Sequence, residues 1–402
     1  RGVATKAKRK SAARGRHPQT DAIHLGERRD PTGALMTPIY QTSTFRLGEK
    51  EYAALDKNEY DDVFIYTRWQ NPSLDVPAKK IAALERTDRA LLFGSGMGAI
   101  SASVLANLEK GDRLVASRDL YGGTIPLFNH LPRFGIDVVF VDQTDVEEVA
   151  AAASDKRTKV IYVETITNPL LRIAPLPELA KVAREAGAEL IVDNTFASPV
   201  NCRPAEHGAS VIVESCTKYL GGHSDIVAGV SSFPERLKAR MWEMSIRLGA
   251  TLDPHAAFLL NRGLKTVHLR VRRHDENAVA LAGFLQDVRG VRQVIYPGLK
   301  DHAQRSLASR LLDGFGGMLT FVVDGGDAAA RRVMDSLEIV SQAPSLGSVE
   351  SLITMPVSTS HVHVPPAHRK KMGILPGMLR LSVGTEDVED LKADLASALQ
   401  KA

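Results

Sequence analysis

Cysteine is almost missing from this chain. Cys202 and Cys216 are the only two, and they fit neither a zinc-ligand spacing nor a disulfide framework. A reducing cytoplasm is the expected setting. Long apolar runs are missing too: none approaches the ~20 residues that cross a bilayer. Charge of one sign is scarce except in one place. Arg1, Lys6, Lys8, Arg9, Lys10, Arg14 and Arg16 put seven positives in the first sixteen residues, without an acid among them. Removing them from the net charge of +4 leaves the rest near −3, so by charge the body is not a nucleic-acid binder. Residues 1–16 are polar and aperiodic, which predicts disorder, and they lack the apolar stretch of a secretory signal. Internal repeats are absent as well.

What is present is regular alternation. Residues 17–65, with Pro38-Ile39-Tyr40 and many polar breakers, read as an extended arm holding one short helix. Apolar runs then recur at Arg89–Phe93, Arg113–Ser117, Asp137–Val141, Lys159–Glu164, Glu189–Asp193 and Ser210–Glu214, with helical stretches between most of them. That pattern predicts an α/β domain over residues 66–253, a mostly parallel sheet covered on both faces. A long helical region from Pro254 to Leu285 follows. Strands are expected at Gln293–Tyr296, Met318–Val323, Ser351–Met355 and Leu379–Val383, and helices at Ala328–Leu337 and Val388–Gln400. Residues 254–402 therefore read as a smaller α+β domain.

Three motifs carry chemistry. Gly94-Ser95-Gly96-Met97-Gly98 follows a strand and opens a helix expected to reach Leu108. Backbone N–H groups at a helix start favour an anion, and glycine lets it come close. The same spacing resembles a dinucleotide fingerprint, with Asp119 where a ribose-binding acid would sit. Ser215-Cys216-Thr217-Lys218 offers two hydroxyls for a phosphate and an amine able to condense with an aldehyde. Asp193 ends an apolar run, where a carboxylate faces a site crevice and would keep a pyridine nitrogen protonated. A lysine, a carboxylate and a phosphate cradle together are what a pyridoxal phosphate (PLP) enzyme requires. His361, His363 and His368 could suggest a metal, but no cysteine or carboxylate completes a set; a loop near the site mouth is the expected reading. Cys216 is expected to be a small buried side chain.

With Tyr66-Thr67-Arg68, Asn71-Pro72, Asp119-Leu120-Tyr121-Gly122-Gly123, Asn168-Pro169, Ser345-Leu346-Gly347 and Arg380-Leu381-Ser382-Val383-Gly384, these motifs resemble the Cys/Met-metabolism family of fold-type I PLP enzymes over nearly the whole chain after the tail. The family includes cystathionine γ-lyases and γ-synthases, methionine γ-lyases and O-acylhomoserine sulfhydrylases. The resemblance implies a seven-stranded-type sheet and displaces the dinucleotide reading. It implies that Lys218 carries PLP and then moves protons, that Asp193 pairs with the pyridine nitrogen, and that Tyr121 stacks on the ring. Gly96, Met97, Ser215 and Thr217 would hold the phosphate. Tyr66 and Arg68 would reach it from a neighbouring subunit, in a homotetramer with shared sites. Arg380, Ser345 and Asn168 would meet the amino-acid substrate, Arg380 clamping its carboxylate.

The implied reaction is γ-elimination of a sulfur amino acid such as L-cystathionine, with Tyr121 as proton donor or relay. The alternative is γ-replacement by a thiol. Two remoter readings are a methionine γ-lyase, against which Gly123 stands where such enzymes carry cysteine, and a non-catalytic PLP-fold protein, against which the complete set Lys218, Asp193, Tyr121 and Arg380 weighs. Trp69, Gln70 and Pro344 depart from common members of the family and leave the distal pocket open.

Overall fold

A computed structural model describes residues 16–27, 30–57, 60, 63–359, 362, 369 and 372–401. Most of the basic tail and the three histidines His361, His363 and His368 lie outside them.

Six strands of the larger sheet follow from the apolar runs: β1 (Arg89–Phe93), β2 (Arg113–Ser117), β3 (Asp137–Val141), β4 (Thr158–Glu164), β5 (Glu189–Asp193) and β6 (Val211–Ser215). A seventh, β7 (Gly229–Phe233), completes the seven-stranded sheet that the resemblance implies, although no apolar run marks it. The order is β1-β7-β6-β5-β4-β2-β3. Only β7 runs against its neighbours; the remaining pairs are parallel. Gly-Val-Ser-Ser-Phe carries too little apolar patterning to read as a buried strand. It is nonetheless buried throughout; Ser231 Oγ hydrogen-bonds Ser103 Oγ at 2.8 Å on the helix packed above it, while the buried Ser232 Oγ has no partner among the described residues. Paired hydroxyls let small polar side chains occupy a core position.

Apolar clusters fill both faces of the sheet. Leu176, Leu179 and Val192 are buried in one, Leu114, Phe128 and Tyr162 in another. Helices such as Leu176–Ala186 and Gly96–Leu105 cover these faces. The latter ends at Leu105, short of the expected Leu108. Past its end, the Asn107 side chain donates to the Ser103 carbonyl at 2.7 Å and satisfies one of the orphan acceptors of the last turn.

A smaller sheet combines β8 (Val291–Ile295), β9 (Met318–Val323), β10 (Ser341–Gln342), β11 (Leu352–Thr354) and β12 (Met378–Ser382) in the order β10-β11-β12-β9-β8. The helices Val267–Gln286, Gly326–Asp335 and Val388–Leu399 pack on it around Phe321, Leu379 and Leu395. The long helical region divides at Lys265-Thr266 into Pro254–Leu264 and Val267–Gln286. The arm holds two short helices, Pro18–His24 and Glu49–Lys57, rather than the one expected. No helix among the described residues is long and apolar enough to cross a membrane.

Candidate active site

The topology brings one edge of the larger sheet into register. Glu164 pairs with Asp193 across β4 and β5. Ser215 pairs with Gly229, and Gly229 with Phe93. Every loop that leaves this edge therefore opens onto the same crevice, at the carboxyl ends of the parallel strands.

The cradle is built first. After Phe93 the chain turns at Gly94, whose N–H reaches the Ala250 carbonyl at 2.8 Å. Ser95 caps the following helix, its Oγ accepting from Gly98 N–H at 3.0 Å. A Cβ on Gly96 would lie 3.0 Å from the Ser215 Cβ. One on Gly229 would sit 2.2 Å from the Ser95 carbonyl oxygen, far inside contact distance. Glycine at 229 is thus required for β7 to pass under the helix start. Thr217 is fixed by two bonds with Ala228: its Oγ1 accepts from the Ala228 N–H at 3.0 Å and donates to the carbonyl at 3.3 Å.

Lys218 follows directly. Its Nζ donates to Ser345 Oγ at 2.7 Å. Burial, and then the nearby Arg380 guanidinium, push its pKa down to about 8. Ser345 holds a φ of 100°, a left-handed conformation that costs a non-glycine residue about 1–3 kcal/mol. The same residue's carbonyl accepts from Arg380 Nη2 at 3.1 Å, while Arg380 Nη1 donates to Asn168 Oδ1 at 3.2 Å. Arg380 Nε is buried and meets no acceptor among the described residues. A guanidinium held by two acceptors, with a third donor left bare, is prepared for an anionic ligand.

Asp193 is buried, and burial pushes its carboxyl up. Three groups oppose that: the Thr195 hydroxyl, the Thr195 N–H at 3.0 Å and Tyr162 OH at 3.3 Å. Beside it, burial first and then the Asp193 charge push Glu164 well above the carboxylate range. Two adjacent buried carboxyls cannot both ionise. Glu164 is the more strongly raised of the two, and its carboxyl accepts the Tyr121 N–H at 2.6 Å. Glu164 thereby anchors the loop that carries Tyr121. A Cβ at Gly123 would lie 2.6 Å from the Tyr121 ring, so that glycine leaves the ring its place.

A single cavity of about 780 Å³ is lined by Gly96, Met97, Ser215, Thr217, Lys218 and Asp193, and also by Tyr121, Asn168, Ser345 and Arg380. The structure thus gathers ten of the twelve site residues expected from the sequence. Tyr66 and Arg68 stand apart, in a separate groove with Gln41 and Asp253. There the guanidinium lies 5.5 Å from the Tyr66 ring centre and donates to the Ile246 carbonyl at 3.0 Å. Glu164, Thr195 and Gly229 received no role in the sequence reading. Glu164 could have been found, because it ends an apolar run in the same way as Asp193; Gly229 could not, because its strand was not visible.

The set of groups fits a ligand with a phosphate, a cationic ring nitrogen and an aldehyde. The glycine cradle leaves backbone space for the first. Buried Asp193 has no cationic partner among the described residues and suits the second. The depressed lysine suits the third.

Comparison with known proteins agrees with this geometry. The family model for Cys/Met metabolism PLP-dependent enzymes matches residues 19–400. An L-methionine gamma-lyase from Fusobacterium nucleatum subsp. nucleatum is 41% identical over 386 residues, covering 95% of this chain and 98% of that protein. A cystathionine beta-lyase from Coxiella burnetii is 39% identical over 95% of this chain and 98% of its own length. The crystal structure of a cystathionine gamma-lyase from Lactobacillus plantarum, complexed with L-serine, superposes with a TM-score of 0.90 at 34% identity, covering 96% and 99% of the two chains. The chain belongs to the Cys/Met metabolism PLP-dependent enzymes, and pyridoxal phosphate is its cofactor.

Proposed function

We propose that this enzyme catalyses elimination at Cγ of a sulfur amino acid such as L-cystathionine, giving 2-oxobutanoate, ammonia and cysteine. The observation that carries the reading is Ser345, which touches the two groups an α-amino acid must meet. Its hydroxyl accepts from Lys218 Nζ and its carbonyl from Arg380. A substrate whose carboxylate lies on the Arg380 fork therefore presents its Cα toward the lysine. The names of two similar proteins, a methionine and a cystathionine gamma-lyase, support Cγ as the second centre.

In this reading Lys218 would hold the cofactor, Asp193 would pair with its ring nitrogen, Tyr121 would stack on the ring, and Gly96, Met97, Ser215 and Thr217 would take the phosphate. When bound, pyridoxal phosphate supplies an electron sink for the pair left behind at Cα. The chain's own groups do the rest. Lys218 Nζ, with its pKa near 8, takes the proton from Cα and then one from Cβ, and the pair released at Cβ breaks the Cγ–S bond. Tyr121, at the mouth of the cavity, hands a proton to the departing sulfur. Ile166, Phe196 and Leu346 line the wall, and one water must enter past them, because the carbon–nitrogen bond is hydrolysed to give 2-oxobutanoate and ammonia. The reading includes a cytoplasmic homotetramer in which Tyr66 and Arg68 complete a neighbour's phosphate site.

Product analysis tests this. L-cystathionine should yield 2-oxobutanoate, ammonia and cysteine. Pyruvate with homocysteine would place cleavage at Cβ and refute the proposal. Turnover only with an O-acylhomoserine and a thiol together would establish γ-replacement instead.

A further inference from the structure

Behind the cavity lies a group that the reaction does not use. Glu85 ends the helix Pro72–Leu84 and is fully buried. Its Oε1 accepts from Asn194 Nδ2 at 2.8 Å. Asn194, the residue after Asp193, also donates from Nδ2 to the Cys202 carbonyl at 2.9 Å and accepts from Thr165 Oγ1 at 2.8 Å. Its backbone N–H reaches the Val213 carbonyl at 2.9 Å. One residue thus ties the ends of β4 and β5 to the helix end through its side-chain amide and to β6 through its backbone N–H. Glu214, on β6, is buried against Glu85, the two carboxyls being within hydrogen-bonding contact. Glu85 Oε2 and Glu214 Oε1 are buried and have no hydrogen-bond partner among the described residues.

Two enclosed carboxylate oxygens cannot face each other as anions. A proton on one turns the contact into an O–H···O bond and satisfies both atoms. We infer that Glu85 and Glu214 share one proton in the core, and that this carboxyl pair braces Asn194 and through it Asp193 beneath the cofactor. The inference rests on the reading of Asp193 as the ring-nitrogen partner.

The surrounding charges say which residue is the acid. Burial raises both groups. At Glu85 the Arg203 cation opposes that and Glu206 adds to it. At Glu214 the charges of Glu85 and Asp193 both add to it. The thiols Cys202 and Cys216, beside Glu85 and Glu214 respectively, are themselves pushed up and stay neutral. Glu214 is therefore the acid and Glu85 the acceptor. With Glu214 uncharged, Asp193 can remain ionised although buried.

Glu214→Gln supplies an N–H donor that has no proton to lose; Glu214→Met removes the donor at similar size. In infrared spectra of the apoprotein at neutral pH, the carbonyl-stretch band of a buried carboxylic acid should be present in the parent and diminished in Glu214→Gln. PLP affinity, followed by protein fluorescence with circular dichroism as a check on folding, should fall about tenfold in folded Glu214→Met and be rescued in Glu214→Gln. Relative to Glu214→Gln, in which Lys218 titrates alike, the parent's affinity should weaken at alkaline pH as the pair loses its proton. An acid band unchanged by Glu214→Gln overturns the shared proton. Parental affinity in folded Glu214→Met overturns the brace. Asp193→Asn separates the underlying reading: it should keep the band and lose cofactor, whereas parental affinity there overturns the role of Asp193 itself.

Discussion

Arg380→Lys is the sharpest perturbation of the substrate site. The guanidinium is buried, so its charge acts in a low-dielectric setting. Two of its five N–H groups are spent on Asn168 and Ser345, and Nε is left bare. A lysine keeps the positive charge but offers one nitrogen where the fork offers a parallel pair. The substrate carboxylate loses about one charged hydrogen bond, worth ~1.5–3 kcal/mol. That is roughly a 10- to 150-fold fall in kcat/KM, carried mainly by KM. The substitution also frees Asn168 Oδ1 and the Ser345 carbonyl, which could loosen the site without touching substrate. Repeating the assay with an α-carboxamide substrate separates the two effects. The parent should lose on the amide what the variant loses on the acid, and the variant should discriminate little between them. An unchanged KM for the acid in Arg380→Lys, or undiminished discrimination, would refute the clamp.

Lys218 has its pKa lowered to about 8, and only its neutral form is nucleophilic. Capture of PLP by apoprotein should therefore speed up as pH rises through about 8 and level off above it; stopped-flow absorbance giving an apparent pKa near the ordinary lysine value would contradict the buried setting. Mixing Arg68→Ala chains with Lys218→Ala chains should restore activity in verified hybrid oligomers, because each hybrid retains one intact site. Hybrids as inactive as their parents would exclude shared sites. Gly229→Ala should push the Ser95–Gly96 backbone away, since its Cβ would come within 2.2 Å of the Ser95 carbonyl oxygen. Overpacking of this kind costs ~1–3 kcal/mol; equilibrium dialysis should find weaker PLP binding, and parental affinity would move the phosphate elsewhere.

The sheet was legible because three or four apolar residues in a row, bounded by charged, polar or glycine residues and recurring between helical stretches, fit buried parallel strands. The same rule hid β7, whose Ser231 and Ser232 are buried as deeply as any valine. Hydroxyl pairing across to Ser103 is a tertiary fact that no local pattern records. Lys218, Asp193 and the glycine loop could be read because each sits where a strand ends. Arg380 sits within a strand instead, and its role came from the family resemblance. The link from Lys218 through Ser345 to Arg380 joins residues 127 and 35 positions apart, and only the folded chain brings them together. Glu214 ends an apolar run as Asp193 does, but nothing in the sequence pairs it with Glu85; their burial against one another depends on a helix end meeting the sheet.

The account stands or falls on one amine. Borohydride reduction of the PLP-loaded enzyme, followed by peptide mapping, should find the pyridoxyl group on the peptide Thr217-Lys218-Tyr219, attached to Lys218, with none in Lys218→Ala. A pyridoxyl group on any other lysine would contradict the site described here.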